Sequence, residues 1–246
     1  DVVASPGWGE LDAPAAVSFR ERIKALAEVP VISRRAKVAA SSASPLRRRL
    51  ERRVSLVAVC GSTGGPATLV ELLGRLSGVR DRAALLIVQH ILAGFTPHFA
   101  EWLEGSTGWV VRVAQEGDPI EPGQALLAPD GHHVVVRARG VVGVDATPPV
   151  GAHRPSGTPL FESAARAYGR DLLALLLTGM GEDGVEGLRA VRAHGGLSFV
   201  QTPGSCVVPG MPEAAIRAGL ADETLTPEEM AELITNTLTT EPGTEP

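Results

Sequence analysis

Val54-Ser55-Leu56-Val57-Ala58-Val59-Cys60 runs directly into Gly61-Ser62-Thr63-Gly64-Gly65-Pro66. The first seven residues are apolar but for Ser55, rich in valine and too few for a buried helix, so they read as a buried strand. Glycines then break the run, and Pro66 suits the first turn of a helix, where its missing N–H leaves no hydrogen bond unmade. A strand, a glycine loop and a helix in that order open a βαβ unit and predict a parallel sheet.

The same rhythm continues toward the C-terminus. Ala83–Gln89 reads as a second strand, Thr96–Glu104 as a helix and Trp109–Ala114 as a strand. Glu116–Gly123 holds two prolines and reads as a turn. Ala125–Ala128, His133–Arg137 and Val141–Asp145 read as short strands, the last two joined in a hairpin at Arg139-Gly140. Thr158–Tyr168 and Gly184–His194 read as helices, Leu172–Leu177 as a central strand and Leu197–Gln201 as another strand. Pro212–Ala218 and Pro227–Leu238 read as helices that open on proline. Alternation on this scale predicts an α/β fold: a doubly wound, mostly parallel sheet with helices on both faces, a three-layer αβα arrangement, and one short β-hairpin. The main domain is expected over residues 54–224, with a C-terminal helix and frayed tail over 225–246.

Composition bounds the function. In 246 residues, 44% are hydrophobic but only 4% aromatic, so the core must be built from Val, Leu, Ala and Ile, as in buried parallel strands. No apolar run approaches the roughly 20 residues of a spanning helix, so no membrane insertion is expected. Asp1 to Pro14 carry acids and no basic segment, so no signal peptide is read there. Cys60 and Cys206 make no disulfide framework, both lie in apolar sequence, and they fit a reducing, cytoplasmic location. Residues 34–53 hold eight Lys/Arg and one Glu, while the rest of the chain is net acidic. That is not a nucleic-acid-binding profile, and the basic run reads as a solvated linker, with contact to an acidic partner as the alternative.

In a doubly wound sheet the chemistry sits just past the C-terminal ends of the strands. Three loops pass that filter: Gly61 to Gly65, Gln89-His90 leading to Gly94, and Thr178-Gly179-Met180-Gly181-Glu182-Asp183-Gly184. They bring Ser62, His90 and Asp183 to one edge. A serine hydroxyl needs a base to become a nucleophile, a histidine can take and return that proton near neutrality, and a carboxylate can fix the imidazole tautomer. The order Ser, His, Asp differs from that of α/β-hydrolases, and Cys60 stands where a nucleophile elbow needs glycine.

Each residue has a plainer reading. Ser62 and Asp183 could each be no more than a helix cap. Cys60 could serve as nucleophile in place of Ser62, or be simply buried. His98 and His194 fall on helices and read as surface residues, whereas His132 and His133 are adjacent on a strand and point to opposite faces, a poor metal pair. His153 is the rival to His90. Glu182 is a substitute for Asp183 whose side chain should diverge from it. The glycine loop also resembles a nucleotide-phosphate cradle, but no acid ends the second strand and no Lys-Ser/Thr follows the glycines.

Taken together, these loops resemble those of the bacterial chemotaxis receptor protein-glutamate methylesterases (the CheB type). Gly61-Ser62-Thr63-Gly64-Gly65-Pro66 is similar to that family's serine loop, Gln89-His90 with Gly94-Phe95-Thr96 to its histidine segment, and Thr178 to Gly184 to its aspartate loop. Two further stretches match: His153-Arg154-Pro155-Ser156 with Leu160-Phe161-Glu162-Ser163-Ala164-Ala165, and Ser205-Cys206-Val207-Val208 through Gly210-Met211-Pro212. The likeness covers about Val54 to Asp222, and five motifs in order are far more specific than one glycine loop. Ile91-Leu92-Ala93 departs from the Met-Pro-Pro-like segment usual in the family.

The resemblance implies Ser62 as nucleophile, His90 as general base and acid and Asp183 as the orienting carboxylate. Backbone N–H groups near Thr63 and Met180 are candidates for the oxyanion site, and His153 and Arg154 for substrate contact. The implied substrate is a methylated glutamate on the cytoplasmic helical domain of methyl-accepting chemoreceptors, with glutamine deamidation as a second activity. No organic cofactor and no metal are expected. Asp1-Val2-Val3-Ala4-Ser5-Pro6 with Phe19–Val29 resembles the last strand and helix of a receiver domain, although Ser5 stands where receivers commonly carry lysine. Residues 1–53 therefore read as a receiver remnant and basic linker, and a chemotaxis kinase becomes a partner only through the rest of such a domain. The rival readings are a catalytically silent receptor-binding module and a nucleotide-binding α/β domain.

Overall fold

The structure is a computed structural model that describes residues 54–239. The expected helix at Phe19–Val29 and the basic stretch before residue 54 lie outside the described residues. Among those described, β1 (Leu56–Gly61), β2 (Leu85–Gln89), β3 (Val110–Val113), β4 (Gln124–Leu127), β7 (Leu172–Leu176), β8 (Leu197–Gln201) and β9 (Glu223–Leu225) form one parallel sheet in the order β3-β4-β2-β1-β7-β8-β9. β5 (His133–Ala138) and β6 (Val141–Asp145) form the separate antiparallel hairpin. The fold class, the parallel sheet and the hairpin are those read from the sequence.

All six residues of β1 and all five of β7 are buried. Alternation along β1 sends Leu56, Ala58 and Cys60 to one face and Val57 and Val59 to the other. The first face is covered by α3 (Gly157–Tyr168), α4 (Val185–Ala193), α5 (Gly210–Arg217) and the hairpin, which contribute Phe161, Leu188, Met211 and Val134. The second is covered by α1 (Gly65–Arg75), α2 (Thr96–Thr107) and α6 (Pro227–Thr239), which contribute Leu72, Leu103 and Met230. Each such side chain withdrawn from water contributes about 1.5–3 kcal/mol, so two full apolar layers fix the sheet between them.

Three details depart from the sequence reading. β9 has no apolar run to mark it: Glu223-Thr224-Leu225 pairs with β8 through its backbone, packs Leu225 against the core, and crosses residue 224, where the domain was expected to stop. α6 buries Met230, Ala231 and Ile234 in the same core as α1. α5 begins at Gly210, two residues ahead of Pro212, with Pro209 as its cap residue. No helix among the described residues is long and apolar enough to cross a membrane.

The chain leaves β1 toward β2 on one side and returns much later to β7 on the other. The crevice beyond the C-terminal ends of β1 and β7 is therefore the topological switch point, where open α/β sheets bind ligands.

Candidate active site

Ser62 lies one residue beyond the last β1–β2 pair, Gly61 with Gln89. Its backbone is held on both sides: its N–H donates to the Thr178 carbonyl at 2.9 Å, and its carbonyl accepts from the Gly65 N–H and from Gln89 Nε2, each at 2.8 Å. α1 starts with Gly64 as its cap residue and no side-chain cap, so the Ser62 hydroxyl is not spent on capping. Gly179 presses against it: a Cβ at that position would lie 2.6 Å from Ser62 Cβ and 2.4 Å from Met211 Sδ. The switch-point crevice thus closes directly over the serine, and only glycine fits there.

His90 is anchored by its N–H to the Gly61 carbonyl at 2.9 Å. Its Nε2 lies 2.8 Å from Asp183 Oδ2, with the two side chains 11% and 3% exposed. A carboxylate only accepts, so Nε2 carries the hydrogen, and in the neutral ring the lone pair is on Nδ1. Nδ1 is buried and has no hydrogen-bond partner. The arrangement is a base whose tautomer is set and whose basic nitrogen is free. Among the described residues Ser62 Oγ has no hydrogen-bond partner; such bonds commonly tighten only when substrate binds.

Asp183 does not cap the following helix, whose cap residue is Gly184 without a side-chain bond. Its carboxylate instead accepts from Ser156 Oγ, from the Gly157 N–H at 2.7 Å and from Thr158 Oγ1 at 3.4 Å, besides His90. Burial pushes its pKa up, but the hydrogen bonds from His90, Ser156 and Gly157 outweigh burial and hold it at about 2. It is ionised at any working pH. Glu182, its sequence neighbour, is exposed, whereas Asp183 is buried.

Cys60 stands nearby, but as a donor: Sγ lies 3.6 Å from Asp183 Oδ2. Burial, and then the Asp183 charge, raise its pKa well above the usual thiol value, which disfavours the thiolate that a nucleophilic role needs, and the Asp183 contact departs from the purely apolar surroundings the sequence suggested. Cys60, His90 and Asp183 have the composition of a metal site, with ligand atoms within 4.8 Å of one another. A thiol held protonated and a carboxylate already surrounded by N–H and O–H donors do not fit that use.

His153 stacks flat on His90, ring centroids 4.0 Å apart and planes 2° from parallel. Burial, and then the neighbouring His90, lower its pKa, so it stays neutral beside the base. Thr63 and Met180 are exposed beside the serine, and among the described residues no acceptor lies within reach of their backbone N–H groups. Arg154 points away and bonds the carbonyls of Ala146 and Thr147 at 3.4 and 3.3 Å.

Sequence reasoning missed the groups that hold this set in place. Ser156 was part of a quoted motif, but nothing in the sequence aims its hydroxyl at Asp183. His133, wholly buried, accepts the Ser156 N–H on Nδ1 at 3.1 Å and bonds the Pro148 carbonyl through Nε2 at 3.2 Å, which fixes the turn that presents Ser156. Gln89 was read as the polar end of an apolar strand and as part of the histidine segment, but neither reading aims its amide at the carbonyls of Ser62 and His90.

Residues 57–234 match the family model described as CheB methylesterase. A protein from Anaeromyxobacter dehalogenans named protein-glutamate methylesterase/protein-glutamine glutaminase 3 is 44% identical over 93% of this chain, and one from Myxococcus xanthus, numbered 4, is 40% identical over 89%. The chain spans 66% and 63% of those two relatives, just under two thirds of their length. The crystal structure of the Thermotoga maritima CheB methylesterase catalytic domain superposes with a TM-score of 0.71 at 30% identity, covering 75% of this chain and all of that one. With the switch-point crevice, the His90–Asp183 pair and the serine loop in the same places the sequence motifs put them, this chain belongs to the CheB methylesterase family.

Proposed function

We propose that this chain is a serine hydrolase that removes methyl esters from glutamate side chains of chemoreceptors, with Ser62, His90 and Asp183 as its triad. The observation that carries the reading is His90: Nε2 fixed on an ionised Asp183, Nδ1 buried and unpartnered. Ser62 Oγ attacks the ester carbonyl while His90 Nδ1 takes its proton. The oxyanion is met by the N–H groups of Thr63 and Met180. His90 returns the proton to the departing methoxide, methanol leaves, and a water activated by the same nitrogen cleaves the acyl-enzyme to glutamate. An amide in place of the ester releases ammonia by the same steps, consistent with the second half of the relatives' name. No step requires a metal or organic cofactor.

The partner is the cytoplasmic helical domain of methyl-accepting chemoreceptors, which places the reaction in the cytoplasm. His153 serves the base through its stack. Arg154, turned toward Ala146 and Thr147, would meet substrate only at the outer edge of the site. Residues 1–53 are read as the end of a receiver and a linker, through which a chemotaxis kinase would act. The test is methanol release from membranes carrying methylated receptors. Wild-type protein releases methanol and Ser62→Ala releases none while keeping its folded circular dichroism; equal release by both removes Ser62 from the reaction.

A further inference from the structure

Gln89 and Gln201 end β2 and β8, the strands that flank the central β1–β7 pair, and both side chains are buried. Gln201 uses both ends of its amide: Oε1 accepts the Thr178 N–H at 2.8 Å and Nε2 donates to the Ser205 carbonyl at 3.0 Å. Gln89 does not. Its Nε2 donates twice, to the carbonyl of Ser62 at 2.8 Å and to that of His90 at 2.9 Å, while Oε1 is buried without a hydrogen-bond partner. The orientation is unambiguous, because the flipped amide would set an oxygen against two carbonyl oxygens. A buried acceptor left unpaired is destabilising, and an apolar side chain would avoid it. What the other end of the amide supplies must outweigh that loss, and it supplies one NH₂ group shared by the backbones of the nucleophile and the base.

We propose that Gln89 is a positioning residue for hydrolysis, setting the separation of Ser62 and His90 through their carbonyl groups; this rests on the reading of those two residues as nucleophile and base. The regular ladder between β1 and β2 ends at Gly61 and Gln89, and its continuation is a single bond from the His90 N–H to the Gly61 carbonyl. Ser62 lies one residue past that bond. The Gln89 amide extends the ladder by one rung, to the residue that reacts. Ser62 Oγ must reach His90 Nδ1 by rotation about χ1, so the backbone separation decides whether rotation suffices. A misplacement of about 1 Å is worth on the order of 10²-fold in rate. Gly65 packs on the same amide from behind: a Cβ there would lie 2.0 Å from Gln89 Oε1.

The experiment compares Gln89→Met, which keeps the shape and strips both donors, with wild type in two assays. One is the rate at which a fluorophosphonate labels Ser62, which needs an activated serine but no methyl-ester recognition. The other is kcat and KM for methanol release. Labelling and kcat should both fall on the order of 10²-fold with KM within about twofold. Gly65→Ala should give the same pattern by pushing the amide away, and it decides the matter should Gln89→Met fail to fold. Thr107→Val strips a buried hydroxyl from the far end of α2 and serves as the control: it should lower Tm and leave both rates unchanged. Labelling at the wild-type rate in the folded Gln89→Met or Gly65→Ala protein overturns the inference, as does a loss that Thr107→Val shares at equal Tm. Wild-type protein labelled at Ser62 that releases no methanol sinks the methylesterase reading alone, and the labelling ratio still judges Gln89. Wild-type protein not labelled at Ser62 sinks both.

Discussion

The floor and the rim of the site are built on opposite principles. On the floor, Asp183 takes hydrogen bonds from His90, Ser156, Gly157 and Thr158, and the groups behind it are themselves held, Ser156 by His133 and the Ser62 carbonyl by Gln89. At the rim, Leu92, Phe95, Met180 and Val207 are 74%, 55%, 74% and 68% exposed. They come from the loops after β2 and β7, which also carry His90 and Asp183, and from the segment before α5. The floor is fixed before any substrate arrives, at the cost of burying polar groups that must then be satisfied. The rim leaves apolar area in water, a cost recovered only when something covers it. In the proposed reaction chemistry belongs to the first and recognition to the second, so damage to the floor should appear in kcat and damage to the rim in KM.

The largest expected break comes from Asp183→Asn. Asparagine can still accept from Ser156 with its oxygen at the Oδ1 position, which puts its NH₂ at the Oδ2 position, against the Gly157 N–H and His90 Nε2. The imidazole must then carry its hydrogen on Nδ1, and the nitrogen needed as base becomes a donor. In a serine-protease triad the equivalent change costs on the order of 10⁴-fold in kcat. The same loss is expected here with little change in KM, read by methanol release or by Ser62 labelling. An Asp183→Asn protein with wild-type kcat would reduce the carboxylate to a structural group.

The floor should also show itself in acid stability. The Asp183 carboxyl is held at about 2, below its ordinary 3.8. A depressed carboxyl stabilises the fold above its unfolded pKa, and that stability is lost as pH falls through the folded value. The contribution is on the order of 2 kcal/mol, complete above about pH 5 and fading between roughly pH 4 and 2. Urea unfolding at pH 6 and again near pH 2 should show the gap between wild type and Asp183→Asn closing by that amount. A gap that does not change with pH would mean that the carboxylate is not held by charge-assisted bonds.

The floor and the rim were not equally legible in the sequence. Strands such as Leu172–Leu176 announce themselves because burial on both faces demands an unbroken apolar run. Ser62, His90 and Asp183 could be found because loops after parallel strands gather at one edge. β9 was invisible because an edge strand pairs by backbone and asks little of its side chains. The bonds of Ser156, His133 and Gln89 were hidden for another reason: each reaches a residue distant in the chain, and a hydroxyl, imidazole or amide in isolation reads as an ordinary polar residue. The stacking of His153 on His90 likewise depends on a 63-residue separation that no local pattern encodes.

The smallest expected effect is the one that separates recognition from chemistry. Val207 lies against Gly64 of the serine loop, and Met180 follows Gly179, which packs on Ser62, so a substrate seated on Ser62 is expected to meet both. Covering one such side chain is worth about 1.5 kcal/mol, so Val207→Ser or Leu92→Ser should raise KM by roughly tenfold at most and leave kcat near wild type. A small soluble ester that does not reach the rim should be hydrolysed equally well by wild type and variants. Should kcat fall with KM unchanged, the rim is part of the machinery that shapes the loops. The division of labour would then fail where the rim packs on the serine loop, since a side chain that packs against Gly64 can displace Ser62 through Thr63, the one residue between them.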